Sequence, residues 1–308
     1  MAGSADGLAG RLLSPARRVA LTDLPEQWFH SIVVVRCRGA RSVVDVPQFA
    51  GKLRGAWGEQ LKATASAEAI AGGACGWQPP CALDVFFRTQ GRITPALEIP
   101  KPYVLALLAD GADLLVRLTL FGFATDWTET AAEALVRGCR TASCRGRLLE
   151  VIDRRYWSEE SIPTAEAPAA LVLAFETPLE IRLKHPAERD RTDQTNESSF
   201  NLATLIATLG NRVSGLARWQ DASVDSDFRA LKDQAAALDV QVLDHLPDRW
   251  KRFSRRQGQW IPMAGRRLVV MIEGGLAPLM PLLAIGEICH AGSHTSLGLG
   301  RYALLVPR

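Results

Sequence analysis

The chain has 308 residues, 47% of them hydrophobic and 22% charged; these proportions exclude a disordered, collagenous or coiled-coil protein, and the length suggests two modules of ordinary size. The longest strongly apolar stretch, residues 276–285, is interrupted by Pro278 and Pro281 and is too short to cross a bilayer as a helix. The formal net charge of +3 does not by itself mark a nucleic-acid binder, so the distribution of charge decides.

In chain order, residues 28–38 (WFHSIVVVRCR) are rich in β-branched side chains and predict a strand. Residues 47–62 place Leu53, Trp57 and Gln60 or Leu61 on one stripe at helical spacing, weakened by Gly55 and Gly58. Apolar runs at 83–88, 103–108 and 114–121 predict strands, separated by Gly91, Pro95, Pro100 and Pro102. Residues 126–139 open on an acidic N-cap and continue with good helix formers, and 147–155 close as a strand.

Residues 156–168 (YWSEESIPTAEAP) read as a linker, after which the order recurs. A strand is expected at 170–183, a helix at 200–216, an acidic helix near 225–238, strands at 249–259 and 267–273, a short helix or helical turn at 276–289 and a last strand at 301–306. Both halves read βαββαβ. The predicted fold class is therefore α+β, with two tandem ferredoxin-like (RRM-like) domains at 1–155 and 169–308. LVRLTLFG and CRGRLLEVI in the first half can be laid over LVVMIEGG and GLGRYALLV in the second, as in an internal duplication.

Charge is segregated along this order. Residues 249–267 hold seven cations (Arg249, Lys251, Arg252, Arg255, Arg256, Arg266 and Arg267) and no acid, interleaved with Trp250, Phe253 and Trp260. A second basic cluster lies at 137–155, and residues 221–244 carry six aspartates that mask both in the total. A basic, aromatic run suits RNA, whose phosphates meet cations and whose unpaired bases stack on rings; a solvated strand face with core aromatics is the alternative. The tail HAGSHTSLGLGRY (290–302) sets Gly292, Gly298 and Gly300 between a helix and a final strand. That setting lets backbone N–H groups approach an anion, or else forms a bulged turn; its order is the reverse of a Rossmann fingerprint.

Six cysteines, at 37, 75, 81, 139, 144 and 289, read as reduced thiols. The pairs Cys75/Cys81 and Cys139/Cys144 are spaced more widely than the usual structural zinc hooks. The opening residues show no sustained apolar core of a secretory signal, so a cytoplasmic location is expected.

HAGSHTSLGLGRY, preceded by RWKRFSRRQ and a short apolar helix, resembles the C-terminal glycine-rich signature of the CRISPR-associated RAMP superfamily, specifically its precursor-crRNA processing endoribonucleases. KLRGAWGEQL, CALDVFF, and IPKPYVLAL followed by LLVRLTLFG look like further family segments in the expected order, so that the similarity covers residues 28–308. The resemblance implies tandem ferredoxin-like domains that bind CRISPR repeat RNA. It also implies cleavage without metal or cofactor: the 2'-hydroxyl attacks the adjacent phosphate, leaving a 2',3'-cyclic phosphate and a 5'-hydroxyl. Other effector-complex subunits are implied partners, and a membrane is not.

Such chemistry needs a base, an acid and cations for the phosphorane. Histidine suits the first two roles because it titrates near neutrality. His294 and His290, in or beside the glycine loop, are the first candidates, and His30 on the first strand is the third. Family members commonly carry an active histidine on or just after the first helix; here that segment holds Lys52 and Arg54, candidate phosphate-stabilising cations, and no histidine. Arg249, Lys251, Arg252, Arg255, Arg256, Gly292, Gly298, Gly300 and Arg301 are the expected RNA contacts. Three readings follow: an endonuclease that matures crRNA, a non-cutting RAMP subunit that holds crRNA in an effector complex, and a small-molecule anion binder. The basic, aromatic segment disfavours the last.

Overall fold

A computed structural model of the chain describes residues 7–46, 48–95, 97–142, 149–158, 167–181, 200–254 and 258–307. They divide into two compact units, Met1–Val19 with Gln27–Glu160 and Ser214–Val224, and Ala20–Glu26 with Ser161–Val213 and Asp225–Arg308.

The first unit is built on β1 (His30–Cys37), α1 (Phe49–Leu61), α2 (Ala82–Phe87), β2 (Tyr103–Asp110), β3 (Asp113–Phe121), α3 (Thr128–Ala142) and β4 (Leu149–Ser158). Its four strands form an antiparallel sheet in the order β2-β3-β1-β4. This is the order a split βαβ motif gives when each connecting helix carries the chain past one strand, and it defines a ferredoxin-like domain. The β-branched run of β1 lies in the centre and is buried along nearly its whole length. β2 and β3 join where Asp110 faces Asp113, a corner tight enough to need the positive φ of Gly111.

The helices of this unit pack at close range because of particular side chains. A Cβ on Gly138 of α3 would stand 3.0 Å from the Trp57 nitrogen of α1, and Trp57 Nε1 donates to the Ala131 carbonyl at 3.1 Å. Ser31 and Thr128 share a buried hydroxyl bond of 2.8 Å that ties β1 to the start of α3. The Trp57 ring then meets Tyr103 edge-on, with centroids 4.9 Å apart, and Phe86 and Phe87 at 5.3 Å each.

Residues 83–88, expected as a strand, are instead helix α2 and its C-cap Arg88. A six-residue apolar run has no period long enough to separate the two states. Here the Asp84–Arg88 pair at helical spacing and the placing of both phenylalanines around Trp57 favour the helix.

The second unit repeats the pattern with β5 (Ala170–Phe175), α4 (Leu202–Ala217), α5 (Phe228–Ala236), β6 (Asp239–Ser254), β7 (Gln259–Glu273), α6 (Met280–Cys289) and β8 (Tyr302–Leu305). The sheet order is β6-β7-β5-β8, all antiparallel, again ferredoxin-like. The acidic helix foreseen near 225–238 is α5, capped by the Asp227 carboxylate, which accepts from the Arg229 and Ala230 N–H groups at 3.0 Å. β7 pairs with β5 only over residues 269–273, whereas its pairing with β6 continues to Ser254 opposite Gln259. A long two-stranded arm results; of the single strand expected at 249–259, residues 249–254 end β6, Gln259 already opens β7, and residues 255–257 lie outside the described residues.

Within the first unit, Ser214–Val224 supplies a plug. Trp219, fully buried, donates to the Pro100 carbonyl at 3.1 Å, and Gln220 donates to the Phe29 carbonyl at 2.9 Å. Gly122, at φ 59, lies under this plug, and a Cβ there would fall 1.8 Å from the Trp219 carbonyl oxygen. Gly122→Ala is therefore expected to cost about 3 kcal/mol, from left-handed strain and overpacking together. Gly55→Ala, at a helical site with open space around it, is expected to add about 0.8 kcal/mol. Urea denaturation of the two variants checks both signs, and equal midpoints would refute the close approach at Gly122.

Candidate nucleic-acid interface

In the second unit the glycine-rich segment joins α6 to β8. The last carbonyl of α6, on Cys289, accepts from Arg212 Nε at 2.7 Å, a cation at the negative end of the helix. The chain then turns through five left-handed residues, His290, Gly292, His294, Gly298 and Gly300, at φ 62, 78, 58, 82 and 69. A Cβ on Gly300 would lie 1.7 Å from the Ala291 oxygen, and one on Gly292 2.5 Å from the Glu180 oxygen. Gly298 N–H donates to Thr295, Gly300 N–H to Pro178 and Ser293 N–H to Glu180, at 2.9, 3.0 and 2.7 Å. Thr177 Oγ1 donates to the Gly298 carbonyl at 2.9 Å and accepts from Arg301 N–H at 2.8 Å. The glycines thus serve the fold of the loop, and the N–H groups of Gly298 and Gly300 are directed at protein carbonyls rather than outward to an anion.

The loop aims its two histidines differently. His294 Nε2 stands 3.6 Å from Glu180 Oε2, with the side chains 19% and 17% exposed. His290 is only 3% exposed. Arg301 is held by an ion pair with Glu176.

On the arm, Arg249 and Lys251 are exposed and, two residues apart on β6, share a face. Register puts Trp260, 61% exposed, on that same face opposite Phe253. Arg267 pairs with Asp248 at 3.2 Å. Arg252 occupies β6 opposite Ile261, while Arg255 and Arg256 lie outside the described residues.

In the first unit the sequence-predicted cations sit on α1. Lys52 is exposed and Arg54 half-buried. Arg54 Nε donates to Tyr103 Oη at 2.7 Å, and its guanidinium lies 4.7 Å from the Phe87 ring centroid, which fixes it by a hydrogen bond and a cation–π contact. His30 is 1% exposed inside the sheet and offers no surface to a phosphodiester.

Two cations that sequence reasoning passed over belong to the same neighbourhood. Arg88 pairs with buried Asp84 and donates to Gln90 Oε1 at 2.6 Å. Half-buried Lys101 places Nζ 3.5 Å from Thr89 Oγ1. Burial foremost, with the nearby Arg54 and Arg88 charges, pulls its amine down to about 8 against the opposing pull of Glu98 and Asp84. The available signal was a lysine locked between Pro100 and Pro102 at the mouth of a buried strand. Among the described residues no three His, Cys, Asp or Glu side chains converge as metal ligands; Cys144 lies outside them.

Two ferredoxin-like domains, the second closed by a glycine-rich turn before its last strand, are the arrangement that the sequence's resemblance to the CRISPR-associated RAMP superfamily implies. Residues 173–302 match the family model of the CRISPR-associated endoribonuclease Cas6, and residues 31–164 match a family model described as an N-terminal domain. Residues 173–302 are thus similar to the Cas6 endoribonuclease family, whose model they match. No curated protein matches it by sequence. In fold it is similar to Thermus thermophilus Cas6, at 13% identity and a TM-score of 0.52, with 90% of this chain and 99% of that one covered. It is similar also to a partial Cas6-RT-Cas1–Cas2 complex, at 11% identity and a TM-score of 0.50, with 91% of this chain and 46% of that one covered.

No helix among the described residues is long and apolar enough to cross a membrane. Gly300→Ala is expected to open the loop at a cost of about 3 kcal/mol, seen as new proteolytic cutting within 290–301; resistance equal to the wild type would contradict the packing described.

Proposed function

We propose that the chain binds CRISPR repeat RNA and cuts it without a metal ion, by attack of the 2'-hydroxyl on the adjacent phosphate, leaving a 2',3'-cyclic phosphate and a 5'-hydroxyl. The observation that carries the reading is the His294–Glu180 pair within the Cas6-matching segment. A partly exposed imidazole with a carboxylate beside it is the arrangement a proton-transfer group needs, since the acid orients the ring and stabilises its charged form. Lys52 and Arg54 are assigned to the phosphate, where fixed cations offset charge developing in the phosphorane.

RNA binding is assigned to the arm. Arg249, Lys251 and Trp260 share one exposed face, which combines phosphate contact with a stacking platform. Arg252, Arg255, Arg256 and Arg301 complete the proposed RNA contacts, whereas the N–H groups of Gly298 and Gly300 are taken by protein carbonyls. By analogy with the Cas6-RT-Cas1–Cas2 complex, contacts with other CRISPR proteins are also proposed, including retention of the crRNA hairpin in an effector complex.

A second reading, a crRNA-holding subunit that does not cut, is favoured by a specific observation: α1 bears no histidine, and His30 and His290 are buried. Incubation with the repeat RNA of its own array in EDTA separates the two, because only the first reading yields product.

His294→Ala is expected to slow cleavage about 10²-fold or more with affinity largely kept. His290→Ala, altering a buried ring, should act through stability instead. Equal wild-type rates in both variants would take proton transfer away from these histidines. Replacing Arg249 and Lys251 together by Ala should weaken binding and lower the slope of log affinity against log salt by about one to two; an unchanged slope would move the RNA path off the arm.

A further inference from the structure

We propose that Lys101, gathered with Arg54 and Arg88 in the first unit, is the proton donor to the departing 5'-oxygen when the chain cuts RNA. The inference deepens the proposed cleavage reading and rests on it. Three segments deliver the three cations: α1 brings Arg54, the C-cap of α2 brings Arg88, and the residues just before β2 bring Lys101. Like charges gathered at a half-buried site raise one another's energy, and the arrangement becomes favourable when an anion enters among them. Asp84 is engaged with Arg88, and Glu98 with Arg92 at 2.8 Å, so neither acid is dedicated to the amine. The anion of matching chemistry is an RNA phosphodiester.

Lys101 is also well anchored. Prolines on both sides restrict its backbone, the Pro100 carbonyl is held by Trp219 Nε1 at 3.1 Å, and Tyr103, two residues on, accepts from Arg54 at 2.7 Å. Of the three cations only the lysine can give up its proton, because guanidinium groups stay charged. An amine near 8 is protonated at neutral pH yet releases its proton more readily than an ordinary lysine at about 10.4.

The step balances as follows: the 2'-oxygen–phosphorus bond forms and the 2'-hydroxyl proton passes to solvent water or a neighbouring base. The phosphorus–O5' bond breaks, its electron pair stays on O5', and O5' takes the Nζ proton. The neutral amine is then reprotonated from water.

The sign of the pH dependence follows. The groups facing Nζ are Arg54 and Arg88, which lower its pKa, and Glu98 and Asp84, which raise it. The acid form is complete well below pH 8 and is lost as pH rises through about 8, or somewhat higher once a phosphate is seated. Single-turnover cleavage of the chain's own repeat RNA in EDTA, from pH 6 to 10, is the test. Wild type should show a falling alkaline limb. Lys101→Met should lose about 10²-fold or more in rate with correct folding by circular dichroism. Lys101→Arg should keep the wild-type affinity, lose the rate and lose the alkaline limb. A Lys101→Arg variant that cuts at the wild-type rate with the wild-type profile overturns the donor role while leaving the endonuclease reading intact. A wild-type chain that binds the repeat and never cuts it overturns that reading and the donor role with it. Trace acetylation gives a readout besides rate: repeat RNA with a 2'-deoxy cut site should shield Lys101, and unchanged labelling overturns the phosphate contact.

Discussion

The Ala291 carbonyl oxygen lies so close to Gly300 that no side chain fits between them, and the placement of the last strand depends on that approach. β8 has only four residues and must lie beside β5, with Ala303 opposite Ala174 and Leu304 opposite Leu173. A strand that short gains little from its own ladder. The surrounding bonds hold it instead: Ala291 N–H to the Gly300 carbonyl at 2.8 Å, Tyr302 Oη to the Leu283 carbonyl at 2.6 Å, and Leu304 N–H to Glu287 at 3.1 Å. His294 and Glu180 meet because the same loop folds onto residues 176–180, so the ion-pair geometry is a by-product of closing the sheet.

In the first unit the corresponding constraint is desolvation. Trp57, Phe86, Phe87 and Tyr103 make an apolar cluster, and the Arg54 guanidinium sits over its Phe87 ring. Such a cluster holds long cationic side chains in few rotamers and strips them of water, which increases their effect on an incoming anion and on one another. Lys101 registers this environment in its depressed pKa, while Arg88 has its own buried partner in Asp84.

The fold was legible wherever periodicity ran long. β1, β3, α3 and the helix-strand order of both halves follow from patterns of eight residues or more, and the same sheet order in each unit agrees with the overlaid segments of the sequence. The CALDVFF run misled because β and α patterns coincide over six apolar residues, and only tertiary partners around Trp57 select the helix. The glycines at 292, 298 and 300 were legible as special positions, but the sequence does not say whether close approach is made by a ligand or by the protein's own carbonyl. Lys101 was hidden for a different reason. Its perturbation comes from Arg54 and Arg88, 47 and 13 positions away by subtraction of their numbers, and no local pattern reports such neighbours.

The two domains share a sheet order and differ at one hairpin. In the first unit β2 and β3 turn back at Gly111 as soon as the sheet ends. In the second, β6 and β7 run on as a pair with little of the sheet beneath them. A ribbon that reaches past the sheet has little to bury against, and Leu246 and Trp260 are left exposed along it although Met263 is buried. Exposed apolar side chains on a free β edge invite association with other strands, and cations are the usual guard against it. Arg249 and Lys251 therefore do two things at once: they keep the arm from pairing with another protein edge, and they make its face attractive to a polyanion. On the proposed reading, repeat RNA would satisfy both conditions, its phosphates meeting the cations while a base covers the indole.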